Sequence, residues 1–144
     1  MGTTQRFTVG SEPRRVNIGE YEITVPPRFG YEVRTVPEGV IVLVYMPGSE
    51  ALVLDASISA QPRSPSAEYR SVTLNGIKGR ERRWQDGDET SNRELYLDFE
   101  EPGIGGRTPA VAAQGVLGYR HLRAAQKVVA DDIIASVRLV PRTD

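Results

Sequence analysis

The sequence contains no cysteine and only one histidine, His121. Without a thiol the chain can form no disulfide, offers no thiolate nucleophile and lacks the thiolate ligands of structural zinc sites. A Ser–His–Asp relay would need this one imidazole beside a nucleophile, and no GxSxG elbow occurs. We therefore predict no catalytic residue and no metal site, and we interpret His121 as a surface residue in the first turn of a helix.

The chain also lacks long apolar runs and a net charge of any size. No apolar run approaches the roughly 20 residues that span a membrane, and the N-terminal 15 residues have no signal-peptide core. The 18 basic and 19 acidic residues give a net charge of −1, which argues against nucleic acid as a partner. Localisation stays open between a cytoplasmic protein and an exported one whose signal segment has been removed.

Cofactor motifs are absent too. The glycines of residues 103–106 (GIGG) lack the Lys-Ser/Thr of a phosphate loop and indicate a flexible loop, which is a weak candidate for binding. The acids of residues 86–89 (DGDE) match no EF-hand spacing and indicate a hairpin turn. Adjacent acids at residues 100–101 and 131–132 diverge from each other and form no catalytic pair. Acids that are distant in sequence could still converge, which leaves a carboxylate-based enzyme open.

Hydrophobic patterning is mostly of the strand type. Alternation over residues 16–25, a continuous apolar run at 40–46 and alternation over 51–61 predict strands, and the last two form a hairpin. The continuous run is typical of a strand buried on both faces. Residues 71–84 and 93–99 predict a second hairpin, in which Arg83 opposes Glu94, while Asn75-Gly76 marks either a turn or a kink. Residues 110–120 are a further strand candidate.

Helical spacing occurs only near the C-terminus, where residues 122–132 predict one helix, followed by a short terminal strand. The sum is an α+β fold: a curved, mainly antiparallel sheet of six or seven strands with a C-terminal helix packed on it. Residues 1–14 are expected to be a flexible N-terminal segment with a short strand at residues 7–9. Residues 15–144 are expected to form a single domain.

The C-terminal half resembles the PsbP-like α/β/α sandwich family. The residues that carry the resemblance are Leu74, Asn75, Gly76, Gly79, Ile134, Ser136, Val137 and Leu139, together with the opening segment YEITVPPRFGYEV. Where members usually have a helix between the middle strands, this chain has PRSPSAEYR. The resemblance implies a protein that binds other proteins or small ligands and is not an enzyme.

Two segments are candidate contact surfaces. On a strand, Lys78, Arg80, Arg82 and Trp84 share one face, and arginine and tryptophan are enriched at binding hot spots. The same charges could instead pair across the sheet or protect a sheet edge. Phe29 and Tyr31 lie in a proline-rich loop, where they either contact a partner or cover the core.

These features predict a non-enzymatic binding or accessory module without a cofactor. Its partner is an unknown protein or small ligand, which it contacts through a sheet face or loops at Arg80, Arg82, Trp84, Phe29 and Tyr31. One alternative is a processed envelope lipoprotein or secretion accessory protein. The other is a hydrolase-type enzyme that uses carboxylates only.

Overall fold

The computed structural model describes residues 2–37, 39–59, 68–87, 89–99 and 114–140. These residues form eleven strands and one helix. The elements are β1 (Thr3–Thr8), β2 (Arg14–Asn17), β3 (Tyr21–Val25), β4 (Gly30–Val36), β5 (Gly39–Tyr45), β6 (Leu52–Ser59), β7 (Arg70–Leu74), β8 (Ile77–Asp86), β9 (Thr90–Asp98), β10 (Gln114–Leu122), α1 (Ala124–Ala135) and β11 (Arg138–Leu139).

Eight of these strands form one antiparallel sheet in the order β1-β4-β5-β6-β10-β9-β8-β7. The hairpin of β5 with β6 and that of β8 with β9 confirm the two hairpins that the sequence predicts from a continuous apolar run and from alternation. β10 lies between β6 and β9 and joins the N-terminal and C-terminal hairpins into one sheet. Three shorter strands form a second antiparallel sheet in the order β11-β3-β2.

The core lies on one face of the large sheet, here called the inner face. Ile133 and Ile134 of α1 and Tyr21 of β3 are fully buried in one cluster with Leu95 and Leu117 of the large sheet. The helix and the small sheet therefore cover the same face. The expected α+β class is confirmed, with more strands than the six or seven predicted.

The opposite, outer face carries no helix or strand among the described residues. Val42 and Val44 of β5 point inward and are fully buried, whereas Ile41 and Leu43 point outward and remain partly exposed. The prediction that residues 40–46 are buried on both faces is therefore wrong in this respect. Because only one face is packed, half of the apolar run contributes to the core.

Asn75-Gly76 is a turn and not a kink in one long strand. Asn75 and Gly76 have φ angles of +50° and +83°, and Leu74 pairs with Ile77 on either side of them. Two consecutive residues with positive φ form the tight hairpin turn whose twist matches that of the strands, and Asn-Gly is its preferred sequence.

The first strand and the start of the helix differ from the sequence prediction. Thr3–Thr8 is paired with β4 along its whole length, so these residues belong to the sheet and not to a flexible segment. The strand predicted at residues 7–9 begins at Thr3. The helix, predicted to begin at residue 122, begins at Ala124, because residue 122 still belongs to β10. Leu122 is buried and paired with Ser91, and this tertiary contact extends the strand into the predicted helix.

In the described part of the chain, no helix has the length and apolar character that crossing a membrane would require.

Candidate binding surface

Strand β8 presents its basic and aromatic residues on the outer face, as the sequence pattern predicts. Ile77, Gly79 and Glu81 are buried on the inner face. Lys78, Arg80, Arg82 and Trp84 alternate with them and therefore point outward.

Trp84 lies beside two guanidinium groups from different strands. The Cζ atom of Arg82 is 4.2 Å from the centroid of the Trp84 ring, and that of Arg120 in β10 is 4.7 Å from it. A cation over an indole face is the most favourable of the cation–π pairs and holds both side chains in place. Trp84 itself remains partly exposed, so its ring is available to a partner.

The carboxylate of Glu94 links Arg120 to two tyrosines. Its Oε1 atom accepts hydrogen bonds from the hydroxyl of Tyr69, at 2.6 Å, and from that of Tyr96. Its Oε2 atom lies 2.9 Å from Nη2 of Arg120. We call the six residues of this arrangement the Trp84 cluster: Tyr69, Arg82, Trp84, Glu94, Tyr96 and Arg120.

The ionisation of the cluster follows from these contacts. Burial alone would raise the pKa of Glu94, but the hydrogen bonds from both tyrosines and the charge of Arg120 outweigh it and lower that pKa. Burial and the neighbouring carboxylate raise the pKa values of Tyr69 and Tyr96. At neutral pH the cluster therefore has an ionised carboxylate, two neutral phenols and two cations.

Arg120 is held more firmly than a typical surface arginine. Besides Glu94, its Nη1 atom donates to the backbone oxygens of Arg93 and Tyr119, both at 3.1 Å. The second guanidinium beside Trp84, that of Arg82, pairs with Glu68 at 3.3 Å. A surface whose side chains are already fixed loses little conformational entropy when a partner covers it.

Arg80 and Lys78 extend the surface towards the sheet edge. They line an open groove of about 360 Å³ together with Ser71, Thr73 and Asp98. Among the described residues neither cation has an ion-pair partner within 4.0 Å, whereas Arg82 and Arg120 both do. These two charges are therefore available to an acidic group from outside the chain.

The predicted opposition of Arg83 and Glu94 is wrong by one residue. Glu94 lies opposite Arg82, and Arg83 lies opposite Arg93. Arg83 therefore points to the inner face, where its Nε atom donates to Glu81 at 2.7 Å. A shift of one residue moves a side chain to the other face of a sheet.

Phe29 and Tyr31 do not form a second contact surface. They are only 8% and 3% exposed and belong to the core. The ring of Tyr31 stacks on Phe7 with 5.0 Å between centroids, because β4 directs it to the inner face. Of the two alternatives that the sequence leaves open for these aromatics, coverage of the core is the one observed.

A buried ion-pair network that the sequence analysis missed lies on the inner face. Glu81 is 3% exposed and accepts from Nε and Nη2 of Arg93, at 2.8 and 2.6 Å. Nη1 of Arg93 donates to Asp131 of α1 at 3.1 Å, and the hydroxyl of Tyr119 donates to the same oxygen at 2.8 Å. The network joins three strands, β8, β9 and β10, to the helix, and only the tertiary fold brings these elements together.

His121 lies in a strand and not at the start of the helix. It occupies a bulge of β10 between Tyr119 and Leu122, with a φ angle of +57°. Its amide donates to Oδ1 of Asn92 at 3.0 Å, and its Nδ1 atom lies 3.0 Å from Asp86. The side chain is 70% exposed, so the expectation of a surface residue stands while its location is corrected.

No group of three or more potential metal ligands occurs within the ranges that the structure covers. Of the acidic pairs, Asp131 belongs to the buried network and Asp132 is exposed. Glu100-Glu101 and the glycine loop of residues 103–106 lie outside the described residues, as does Asp88 of the acidic turn.

Comparisons with known proteins give a similarity of fold alone. No protein-family model and no curated protein sequence matches the chain. A crystal structure from Bacteroides thetaiotaomicron VPI-5482 at 1.50 Å resolution is similar, with a TM-score of 0.50 and 12% sequence identity. The match covers 90% of this chain and 49% of that one, so this chain spans about half the length of the solved protein.

Proposed function

We propose that this chain is a non-enzymatic binding module that engages a protein partner through the outer face of its large sheet, with the Trp84 cluster at the centre of the contact. The observation that carries the proposal is Trp84 itself. It is the only tryptophan of the chain, and it lies partly exposed beside two arginines on a face that no described element covers. Tryptophan, tyrosine and arginine are the residues most enriched at binding hot spots.

The charges around Trp84 favour an acidic partner. Glu81 points to the inner face and Glu94 lies within the Trp84 cluster, and each is bonded to an arginine. Arg80 and Lys78 reach the surface without an ion-pair partner among the described residues. A partner that places an apolar group on Trp84 and carboxylates near Arg80 and Lys78 would complement this surface.

A small polar ligand is the second candidate, because the groove beside Arg80 offers two hydroxyl groups, two cations and one carboxylate around about 360 Å³. Pockets of this size hold small molecules, although most are more apolar. A ligand there would lie next to the Trp84 cluster and would use the same two cations, Lys78 and Arg80.

We also infer that the fold is related to the PsbP-like sandwich. Asn75 Nδ2 donates to the backbone oxygen of Val137 at 2.6 Å. This contact joins two of the segments on which the resemblance rests and gives Asn75 a structural role. A relationship to that family would agree with a binding function.

The two alternative functions remain proposals of lower rank. Export or attachment to an envelope would depend on how the chain is processed and not on the contacts of the folded domain. For an enzyme that uses carboxylates, Asp55 interacts with Glu94 beside Arg120, where burial raises the pKa of Asp55. Glu81 and Asp131 also approach each other, through Arg93. Their oxygens are bonded to arginine, lysine and tyrosine side chains, which favours a structural role over acid–base chemistry.

The test replaces Trp84 by alanine and also uses the fluorescence of Trp84 in the wild type as a signal of binding. Immobilised wild-type protein and the Trp84→Ala variant would be compared for partners captured from cells of the source organism, and each partner would then be titrated by calorimetry. We expect Trp84→Ala to weaken binding about 30-fold, since a hot-spot residue contributes about 2 kcal/mol. In the wild type the emission of Trp84 should shift to shorter wavelength on binding, because the partner excludes water from the ring.

Arg34→Ala is the matched control. Arg34 is 48% exposed and pairs with Glu32, so this variant truncates a large exposed side chain of β4, at the other end of the sheet. It should bind like the wild type, and both variants should keep the thermal midpoint of unfolding. Partners that bind Trp84→Ala with unchanged affinity and leave Trp84 emission unaltered would refute the proposed surface.

A further inference from the structure

Strand β1 is a free edge of the large sheet. It pairs with β4 over six consecutive residues without a register shift, and all six residues are exposed. It has no described neighbour on its other side. One side of this strand therefore presents a row of backbone groups without partners in the sheet.

This edge lacks the features with which proteins usually prevent edge pairing. Such features are proline, a bulge, very short length or a projecting charge. The sequence of β1 is TTQRFT, and its only charge, Arg6, is turned back onto the sheet face. Nη1 of Arg6 lies 2.8 Å from Glu50, and its Cζ atom is 4.5 Å from the ring centroid of Tyr45. The charge of Arg6 is therefore paired with that of Glu50, and β1 carries no other charged side chain.

The other edges differ from β1. In the small sheet, β2 has four residues and β11 has two, which is too short for extended pairing. At the far end of the large sheet, β7 has five residues, and its Arg70 is 70% exposed and paired with Glu81 at 3.2 Å. Among the edge strands of the described residues, β1 is the longest, with six residues.

The direction of the backbone groups follows from one hydrogen bond. The amide of Val9 donates to the oxygen of Phe29 at 2.9 Å, which continues the register of β1 with β4. Because amides alternate along a strand, those of Phe7, Gln5 and Thr3 also point to β4. The amides and carbonyls of Thr4, Arg6 and Thr8 then point to the free edge.

We propose that β1 pairs antiparallel with β1 of a second copy of this chain, which joins the two large sheets edge to edge about a two-fold axis. An antiparallel pair of identical strands is self-complementary, as a two-fold dimer requires. An axis at Arg6 would place two like charges directly opposite each other, which destabilises a strand pair. An axis at Phe7 would leave Thr4 without a partner.

The axis therefore passes through Gln5. In this register Thr4 faces Arg6 of the second copy, and Thr8 faces Gly2, so that every outward amide of the strand has an acceptor. An interface of one strand from each copy is at the small end of specific interfaces, so we expect a dissociation constant on the order of micromolar. The Trp84 cluster stays accessible because it lies at the other end of the sheet, and the dimer does not depend on the proposed function.

Mass measurements test the dimer. Light scattering over a range of concentrations should show the wild type rising from 15.9 kDa towards twice that mass. Thr4→Pro removes an outward amide, and a sheet edge tolerates proline at such a position; this variant should remain monomeric with unchanged thermal unfolding. A wild type that is monomeric throughout, or a Thr4→Pro variant that dimerises equally well, would overturn the proposal.

The absence of cysteine makes the register directly testable. Gln5→Cys would introduce the only thiol of the chain, so any disulfide joins two copies. Opposed residues of a non-hydrogen-bonded pair lie about 4.5 Å apart at Cα, within the range of a disulfide. In Thr3→Cys the two thiols would be four residues apart along the strands, roughly 13 Å, beyond that range. Equal crosslinking of both variants, or crosslinking of neither under mild oxidation, contradicts the proposed register.

Discussion

Neighbouring residues of β8 have opposite electrostatic roles because successive side chains leave a strand on opposite faces. Arg82 points outward and lies over Trp84, where its charge is exposed to water and to a partner. Arg83 points inward and bonds to Glu81, where its charge offsets that of a buried acid. The same side chain therefore belongs to a contact surface at one position and to the interior at the next.

Glu81 is the residue whose loss we expect to cost most in stability. It accepts hydrogen bonds from Arg83 and Arg93, and its removal would leave the charge of Arg93 buried without its closest partner. Breaking a buried pair in this way typically costs about 3–5 kcal/mol. Glu81→Ala should therefore lower the free energy of unfolding, measured in urea, by that amount. For comparison, Arg34→Ala breaks an exposed ion pair and should change it by less than about 1 kcal/mol.

The same network predicts the sign of a pH effect. Burial alone would raise the pKa of Glu81, but its hydrogen bonds to Arg83 and Arg93 outweigh this and hold the pKa below the ordinary value of 4.5. A lowered pKa in the folded state stabilises the protein above pH 4.5 and ceases to do so as the pH falls through the folded-state value. The gap in unfolding free energy between wild type and Glu81→Gln should therefore shrink at acidic pH. A gap that widens would show that this carboxylate is not stabilised by its partners.

At the scale of elements, the turn between β7 and β8 donates hydrogen bonds at the C-terminal end of helix α1. It has no acidic residue in its first turn and no basic residue in its last, so its dipole is not balanced by charges of its own. Instead, Nδ2 of Asn75 donates to the backbone oxygens of Ala135 and Val137, at 2.9 and 2.6 Å. The turn between β7 and β8 therefore supplies the donors that carbonyls at a helix end require.

Substitutions of Asn75 separate its two roles. Asn75→Gly keeps the positive φ angle but removes the donors, and we expect it to lower the free energy of unfolding by about 1–3 kcal/mol. Asn75→Ala removes the donors and also strains the turn, so it should cost about 1 kcal/mol more. Chemical denaturation would measure both variants. If Asn75→Gly were as stable as the wild type, the contact to the helix end would contribute nothing.

At the scale of the whole molecule, the two sheets meet where a glycine leaves room for two aromatic rings. The rings of Tyr21 in β3 and Phe99 stack with 5.4 Å between centroids. A Cβ atom at Gly115 of β10 would lie 2.9 Å from each ring, closer than van der Waals contact allows. The hydroxyl of Tyr21 donates to the oxygen of Ser57 at 2.8 Å, so this ring cannot move without losing a bond. Gly115 thus sets how closely the sheets approach.

Gly115→Ala should therefore loosen the packing of the small sheet on the large one. Overpacking of a core typically costs about 1–3 kcal/mol, which we expect as a lower free energy of unfolding. Gly10→Ala is the control, because a Cβ atom there would meet no atom within 4 Å. Thermal or urea unfolding would compare the two. Equal stability of both variants would mean that the rings at Gly115 can rearrange without cost.

Local patterns in the sequence determined the hairpins, the outward direction of Lys78, Arg80, Arg82 and Trp84, and the exclusion of thiol chemistry. These features follow from alternation with a period of two, from Asn-Gly turn chemistry and from composition, each of which acts over a few residues. The patterns could not determine which hairpin lies beside which, because pairing between distant strands depends on packing in the core.

Only the tertiary structure decided the remaining features. The placement of β10 beside β9 brings Arg120 to Trp84, and the packing of α1 brings Asp131 to Arg93. Burial of Phe29 and Tyr31 depended on the direction of β4, which a proline-rich flank does not reveal. The bulge at His121 extended β10 at the expense of the predicted helix, because Leu122 gains more from burial in the core than its helical spacing contributes. In each case the deciding contact joins residues that are far apart in the sequence.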